Sequence, residues 1–239
     1  MSILVWSIVV FLALAWLAHF LKQPGIKGSL GEWRVRLLAL HGLDSKVYYG
    51  LHNVTLPTLK GTTQIDHLFV SRYGIFVLET KNMRGWISGG EQDRHWTQQF
   101  HRRSFTFQNP LRQNYRHLKA LETLLGIEPG HMHSVIVFAG GGTFKTPMPA
   151  NVTQGAGFVR YIRSFRDPVF TEGEAAMLFD ILQRIRLAPT RATHREHVQQ
   201  LQRRHEPTMG KRRCTEPPRE FRRLSDLRHA ARADSSSCR

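Results

Sequence analysis

Residues 61–81 read GTTQIDHLFVSRYGIFVLETK, and this stretch decides the fold. It predicts two neighbouring strands, residues 64–71 and 75–81, which are joined by a short turn at residues 72–74. Residues 75–78, IFVL, form a continuous apolar run of strand length. Such a run is typical of a central strand that is covered on both faces, so we expect the second strand to lie inside a sheet.

Three charged residues stand on these strands: Asp66 interrupts the first, and Glu79 and Lys81 close the second. Charges at the ends of buried strands are costly unless they are paired or bound to a cation. Because side chains alternate along a strand, Glu79 and Lys81 project from the same face, and Asp66 can stand beside Glu79. His67 projects to the opposite face, which favours a packed histidine over a metal ligand.

Two convergent carboxylates suit Mg²⁺, which prefers carboxylates, water and substrate phosphate to a cage made only of protein. Beside such an ion, Lys81 can hold an attacking water or stabilise charge that develops on a phosphate. The alternative for Asp66, Glu79 and Lys81 is an ion-pair cluster at a sheet edge with no chemical role. These residue types by themselves leave both interpretations open.

Helices and further strands are predicted around this stretch from the spacing of apolar residues. The predicted helices are residues 29–41, a helix that begins at Pro110 with Asn109 as its cap, and residues 173–186; the further strands are residues 47–51, 54–56 and 134–139. The first helix is expected to bury the stripe Leu30, Trp33, Leu37 and Leu40, and the second the stripe Leu111, Tyr115, Leu118, Leu121, Leu124 and Leu125. Residues 82–109 are expected to be a loop, with short strands around residues 85–87.

Basic and aromatic residues are interleaved in this expected loop. The basic ones are His95, His101, Arg102 and Arg103, and the aromatic ones are Trp96, Phe100, Phe105 and Phe107. This pattern either grips a nucleic-acid backbone and stacks on its bases, or it closes the core beneath a long loop. The sequence leaves these alternatives open.

The composition of the chain indicates a polyanionic partner. Its 239 residues include 34 Lys and Arg against 18 Asp and Glu, which gives a formal net charge of +16. Nucleic acid and an anionic lipid surface both fit this charge. Hydrophobic residues make up 41% of the chain, which excludes disorder over its full length. Cys214 and Cys238 are too few for a zinc ribbon and argue against a disulfide-framed secreted domain.

Residues 2–21 contain no formally charged side chain, and a helix of that length spans the ~30 Å hydrocarbon layer of a bilayer. We therefore predict a transmembrane anchor over residues 1–21. A cleaved signal peptide is the alternative, but no Lys or Arg precedes the apolar run, which continues past the cleavage-like residues 13–15. Because Lys22 and Lys27 follow the segment, we expect a single-pass protein of a bacterial inner membrane with a cytoplasmic domain.

The remaining boundaries follow from composition. Residues 22–28 are expected to be a linker, residues 29–187 the folded domain and residues 188–239 a basic tail of low order. The tail carries 13 basic against 6 acidic residues and few aliphatic ones, so it buries too little apolar surface to offset its ordering entropy. It is suited to weak binding of DNA or anionic lipid.

Several short motifs surround the three charged residues. They are Gly28-Ser29-Leu30-Gly31-Glu32, Gly61-Thr62-Thr63-Gln64-Ile65-Asp66-His67, Tyr73-Gly74-Ile75-Phe76-Val77-Leu78-Glu79-Thr80-Lys81-Asn82, Gly85, Trp96, and Asn109-Pro110-Leu111-Arg112-Gln113-Asn114. In order and spacing this set resembles the nuclease-related domain (NERD) family over residues 28–125, and its Asp and Glu-x-Lys resemble the PD-(D/E)xK phosphodiesterase signature. Beyond residue 134 the match is loose.

The resemblance implies an α/β fold with a restriction-endonuclease-like mixed sheet flanked by helices. It also implies a nuclease site on the central strands that uses Mg²⁺ or Mn²⁺. By position, Asp66 and Glu79 would be metal ligands, with the Thr80 carbonyl as a third ligand. Lys81 would orient or activate the attacking water.

Two further site residues are implied by the same resemblance. Glu32 would support the metal or its water, and Gln113 would help to position the site. The alternatives are a carboxylate that favours the first turn of a helix for Glu32, and a hydrogen bond at a helix start for Gln113.

These observations predict a membrane-anchored, metal-dependent nuclease that hydrolyses phosphodiester bonds of DNA, or of RNA. One alternative is a non-catalytic module that tethers nucleic acid at the membrane. Another is a membrane-anchored interaction protein whose basic charge addresses anionic lipid.

Overall fold

The computed structural model describes residues 6–12, 16, 24–58, 61–188, 190, 193, 195 and 198–199. The helices are α1 (Pro24–Gly42), α2 (Pro110–Leu125), α3 (Gly157–Arg163) and α4 (Glu172–Ile185). The strands are β1 (Tyr49–Thr58), β2 (Gly61–Ser71), β3 (Gly74–Lys81), β4 (Gly85–Ser88), β5 (His95–Phe100), β6 (Arg103–Gln108), β7 (Met132–Phe138), β8 (Gly142–Phe144) and β9 (Val152–Gln154). The expected mixed α/β architecture is confirmed.

The larger sheet has the strand order β1-β2-β3-β7-β9. Strand β2 pairs antiparallel with β1 and with β3, and β7 pairs parallel with β3 and with β9. The β2–β3 turn closes tightly because Gly74 adopts φ +124°, a conformation open to glycine. Strand β3 is buried from Gly74 to Glu79, as its apolar run predicts for a central strand.

Helices cover both faces of the larger sheet. On one face Leu121 of α2 and Leu182 of α4 pack against Val77 and its neighbours on β2 and β3. On the other face Val35 of α1 and Ile162 of α3 belong to a second cluster of buried residues. Each fully buried aliphatic side chain contributes roughly 1.5–3 kcal/mol relative to its exposed state, so these two layers hold the strands in place.

The short strand expected around residues 85–87 is confirmed as β4, but the expectation of a loop over the rest of residues 82–109 is wrong. Strands β4, β5 and β6 lie there, and with β8 they form a second sheet in the order β6-β5-β4-β8. Trp96 is the anchor of this sheet: it is completely buried, stacks on Phe138 of the larger sheet at 6.3 Å, and donates its indole N–H to Gly90 O at 2.8 Å. Phe107 packs partly buried beside it, so these two aromatic residues belong to the core.

Helix α1 departs from expectation in its start and in its buried face. It begins at Pro24 and not at residue 29, so the predicted linker over residues 22–28 is wrong from residue 24 on. The expected stripe is also wrong, because Leu30, Trp33 and Leu40 are 45%, 59% and 63% exposed. Gly31, Val35 and Ala39 face the sheet instead.

Small residues set this orientation of α1. A Cβ atom added to Gly31 would lie 2.7 Å from Asn82 Cβ, so only glycine lets the helix backbone approach the end of β3 this closely. The periodicity of hydrophobic residues predicts that the large side chains of α1 face the sheet. Close approach of the helix to the sheet instead requires small residues on that face.

Other elements follow or extend the prediction. Asn109 caps α2 by accepting a hydrogen bond from Leu111 N at 2.9 Å, and α4 lies within one residue of its predicted bounds. The two predicted strands at residues 47–56 are a single strand, β1, which is irregular at Asn53 (φ +51°). Strands β8 and β9 and helix α3 were not predicted.

The predicted transmembrane anchor falls mostly outside the described residues. Residues 6–12 and 16 are helical and exposed. Within the described part of the chain, no helix combines the length and the apolar character that a bilayer crossing requires. Most of the predicted tail, residues 188–239, also lies outside the described residues.

A pair of histidines lies on β1 and β2, on the face opposite the charged residues. The Nδ1 atoms of His52 and His67 are 2.9 Å apart, and His67 is buried. Burial, and then the charge of Arg36, lowers the pKa of His52 to about 4. Burial, and then the neighbouring His52 and Arg36, lowers the pKa of His67 to about 3. Both rings are therefore neutral in the folded protein at neutral pH.

We predict that acid destabilises the fold partly through His52. A histidine in the unfolded chain has a pKa of about 6.5, whereas folded His52 has a pKa of about 4. Between these pH values the unfolded chain binds a proton that the folded protein does not bind, so the free energy of unfolding falls as the pH is lowered. His52→Gln should reduce the loss of stability between neutral pH and about pH 5, as measured by urea unfolding. An identical loss in both proteins would contradict this assignment.

Candidate active site

The candidate site lies where the ladder between β2 and β3 ends. Backbone pairing runs from Ser71 opposite Gly74 as far as His67 opposite Leu78. One residue further, a side chain replaces the backbone as the hydrogen-bond acceptor: Asp66 Oδ2 accepts a hydrogen bond from Thr80 N at 2.8 Å. The N–H and C=O of one strand residue point to the same side, so the Thr80 carbonyl also points toward β2.

Glu79 and Lys81 project from one face of β3, as alternation predicts. Lys81 Nζ donates to Glu79 Oε1 at 2.6 Å and to Gln113 Oε1 at 3.0 Å. The side chain of Glu79 is 4% exposed and that of Lys81 is 18% exposed. The carboxylate is thus sealed beneath an ammonium group that still reaches the surface and has a third proton to donate.

Helix α2 supports the site from above this face. Asn114, completely buried, donates to Val77 O at 2.7 Å and to Ser134 Oγ at 2.9 Å, and so fixes the helix over β3 and β7. This bond sets the position of the neighbouring Gln113. The predicted stripe is wrong at Tyr115, which is 58% exposed.

His117 is a site residue that the sequence analysis missed. Its Nδ1 lies 2.7 Å from Thr63 Oγ1, and its Nε2 lies 3.5 Å from Glu79 Oε2. When Thr63 donates, the ring proton is on Nε2 and faces the carboxylate. A signal was present in the sequence: Asn114 and His117 share helical spacing with Leu121 of the apolar stripe, so both polar side chains face the core.

Glu32 approaches the site from the opposite layer. Gly31 packs against the side chains of Asn82 and Thr80, which brings the middle of α1 to the end of β3. The alternative of a first-turn carboxylate for Glu32 is therefore wrong, because the first turn of α1 contains no acidic residue. The charge of Glu32 contributes to the electrostatic potential at Asp66. The structure therefore brings together the side chains of Asp66, Glu79, Lys81 and Gln113, with Glu32 in electrostatic range, whereas His67 lies on the other face.

The two carboxyl groups differ in their electrostatic environments. Burial, followed by the negative charges of Glu79 and Glu32, raises the pKa of Asp66 well above its usual value. Burial alone would also raise the pKa of Glu79, but His117 and Lys81 outweigh it and lower the net value. Negative charge is thus concentrated in a partly desolvated site, which is the condition that a bound cation relieves.

The donor set fits a hard divalent cation. Glu79 Oε2 is buried, and His117 Nε2, 3.5 Å away, does not complete a hydrogen bond to it, although a carboxylate oxygen at this depth needs a partner. No group of three His, Cys, Asp or Glu side chains in the described ranges is arranged to hold a metal. Asp66 and Glu79 would therefore share the ion with the Thr80 carbonyl, water or a substrate phosphate, as Mg²⁺ prefers.

The candidate site reaches the protein surface through Asp66 and Lys81, which are only partly buried. A cavity of about 1070 Å³ lies elsewhere, between the end of α1 and α3, and contains none of the site residues. Asp66 and Lys81 are partly exposed, at the end of the central strands β2 and β3. This accessibility suits a large substrate better than an enclosed small molecule.

Known proteins match the part of the chain that carries this site. Residues 27–139 match the model of the family described as nuclease-related domain, which confirms the resemblance found in the sequence. An uncharacterized protein of Bacillus anthracis is 45% identical over 128 residues, 52% of this chain and 60% of that protein. The chain therefore spans less than two thirds of this relative. No solved structure matches the chain significantly.

We predict that Asp66→Asn stabilises the protein when divalent cations are removed by EDTA. The amide keeps an acceptor for Thr80 N and removes the charge that repels Glu79, which should raise the free energy of unfolding by on the order of 1 kcal/mol. Urea unfolding at mildly alkaline pH measures the change. Asp180→Asn, an exposed carboxylate on α4, is the matched control and should have no effect; a less stable Asp66→Asn protein would argue against the charge repulsion.

Proposed function

We propose that this chain, whose residues 27–139 belong to the nuclease-related domain family, hydrolyses phosphodiester bonds of nucleic acid with Mg²⁺ or Mn²⁺. DNA is the favoured substrate and RNA the alternative. The observation that carries the proposal is the ammonium group of Lys81, held between Glu79 and Gln113 beside the carboxylate of Asp66.

Each site residue has a separate role in phosphodiester hydrolysis. Asp66, Glu79 and the Thr80 carbonyl would hold the cation, which polarises the scissile phosphate and lowers the pKa of a bound water. Lys81 orients the attacking water or donates a hydrogen bond to a phosphate oxygen as negative charge builds there. Gln113 and Glu79 fix the direction of the ammonium group, so little reorganisation is needed at the moment of reaction.

His117 and Glu32 act on the residues that hold the cation. His117 faces the second oxygen of Glu79 and limits its rotation. Glu32 adds negative charge near Asp66 and so increases the affinity of the site for a cation or for a water bound to it. Both are positioning residues in this proposal.

The charge of the chain supports a nucleic-acid substrate. A net charge of +16 attracts a phosphate backbone without regard to sequence, and this attraction weakens as salt increases. From the sequence we further propose that residues 2–21 anchor the chain in a membrane with the domain in the cytoplasm, and that the basic tail approaches anionic lipid there. Alkaline extraction of membranes tests the anchor, and release of the full chain into the soluble fraction would contradict it.

We predict that Lys81→Ala lowers the rate of DNA cleavage by at least ~100-fold while binding of DNA is nearly unchanged, because one preorganised donor at a developing negative charge contributes about that factor. Cleavage of plasmid, linear and single-stranded DNA is measured with Mg²⁺, with Mn²⁺ and with EDTA. Lys119→Ala, an exposed lysine on α2, is the matched control and should cleave like the wild type.

Two outcomes would contradict the proposed activity. Equal cleavage by the wild type and Lys81→Ala would remove Lys81 from the chemistry. Salt-sensitive binding of DNA with no cleavage under any metal condition would instead favour the non-catalytic binding module.

A further inference from the structure

The hairpin of β5 and β6 extends one face of the core into solvent. Register places Trp96 opposite Phe107, Gln98 opposite Phe105 and Phe100 opposite Arg103. Residues directly opposite one another project from the same face, so these six side chains form one continuous stripe. At its base the stripe is core, where Trp96 is completely buried.

The outer part of the stripe leaves the core but keeps its aromatic character. Phe100 is 41% exposed and Phe105 is 51% exposed. The outer face, defined as Phe100, Arg103 and Phe105, is therefore an aromatic surface with a guanidinium group among the rings. Packing in the core accounts for Trp96 and Phe107, whereas Phe100 and Phe105 expose much of their rings to solvent.

Positive charge surrounds the outer face. The hairpin turns at His101 and Arg102, where His101 adopts φ +54°, and Arg84 lies on the adjoining segment before β4. No carboxylate within the described ranges forms an ion pair with Arg84, Arg102 or Arg103. Uncompensated arginine beside exposed aromatic rings is complementary to a phosphate backbone with accessible bases.

The outer face adjoins the candidate active site. Gln98 donates to Arg84 O at 2.8 Å, and a Cβ added to Gly85 would lie 3.1 Å from a ring carbon of Phe100. Gly85 follows Lys81 by four residues, a chain distance of at most ~14 Å. A nucleic-acid strand bound along the outer face could thus reach Lys81 within a few nucleotides.

We propose that the outer face binds the bases of single-stranded DNA next to the candidate active site. This inference rests on the proposed function and names its substrate: the bases of a duplex are stacked on one another, whereas those of a single strand are free to stack on Phe100 and Phe105. Arg103 contacts the backbone between them.

The test measures binding in EDTA, where no cleavage is expected. Full-length protein in a non-ionic detergent is titrated into fluorescein-labelled oligo(dT) and into a labelled duplex, and Kd is obtained from fluorescence anisotropy. Phe105→Ala should weaken binding of oligo(dT) roughly tenfold or more, the loss that follows when one base loses its aromatic partner. The Kd for the duplex should change much less.

Two variants separate stacking from general effects. Phe105→Tyr keeps an aromatic ring and should bind oligo(dT) like the wild type. Trp86→Ala is the matched control, because Trp86 is 49% exposed on the same sheet but pairs with Gln99 and so lies on the opposite face. It should leave the Kd for oligo(dT) unchanged.

Three results would overturn the inference: unchanged binding of oligo(dT) by Phe105→Ala, equal weakening of single-stranded and duplex binding, or the same loss in Trp86→Ala. Failure of the proposed activity is distinguishable from these. Lys81→Ala tests cleavage in the presence of metal, whereas the outer face is tested by binding in its absence.

Discussion

The hydrogen bond from Thr80 N to Asp66 Oδ2 replaces the backbone ladder at the point where β2 and β3 part. A side-chain carboxylate bonded to a strand in this way cannot turn outward into solvent. It stands beside Glu79, which emerges from the most buried strand of the sheet. The like charges of the two carboxyl groups then explain the contacts around Glu79, which are the ammonium group of Lys81 and the ring of His117.

Each layer of helices contributes one part of this arrangement. Helix α2 brings Gln113 and His117 to Lys81 and Glu79, and the buried amide of Asn114 holds it in register with β3. Helix α1 approaches the other face through Gly31, which places Glu32 near Asp66. Burial of Glu79 is costly by itself, and these polar contacts offset that cost only in this geometry.

The sequence predicts β2, β3 and the convergence of Asp66, Glu79 and Lys81, because a continuous apolar run and strict alternation leave little choice of register. It does not predict the second sheet, since Trp96 and Phe107 are separated by polar and basic residues that read as a loop. The buried face of α1 is also not predicted by hydrophobic periodicity, because the close approach of the helix to the sheet at Gly31 and Ala39 outweighs the burial of Trp33 and Leu40. His117 was missed because only apolar residues were counted in the stripe of α2, although Asn114 and His117 share its helical spacing with Leu121.

The central claim is that Asp66 and Glu79 form a cation site and that the ammonium group of Lys81 lies beside it. Electron paramagnetic resonance counts free Mn²⁺ directly and needs no nucleic acid. Titration of the full chain is expected to reveal one bound Mn²⁺ in the wild type that is lost in Glu79→Gln and kept in Glu122→Gln, a carboxylate on the outer side of α2. Equal Mn²⁺ binding by the wild type and Glu79→Gln would contradict the claim.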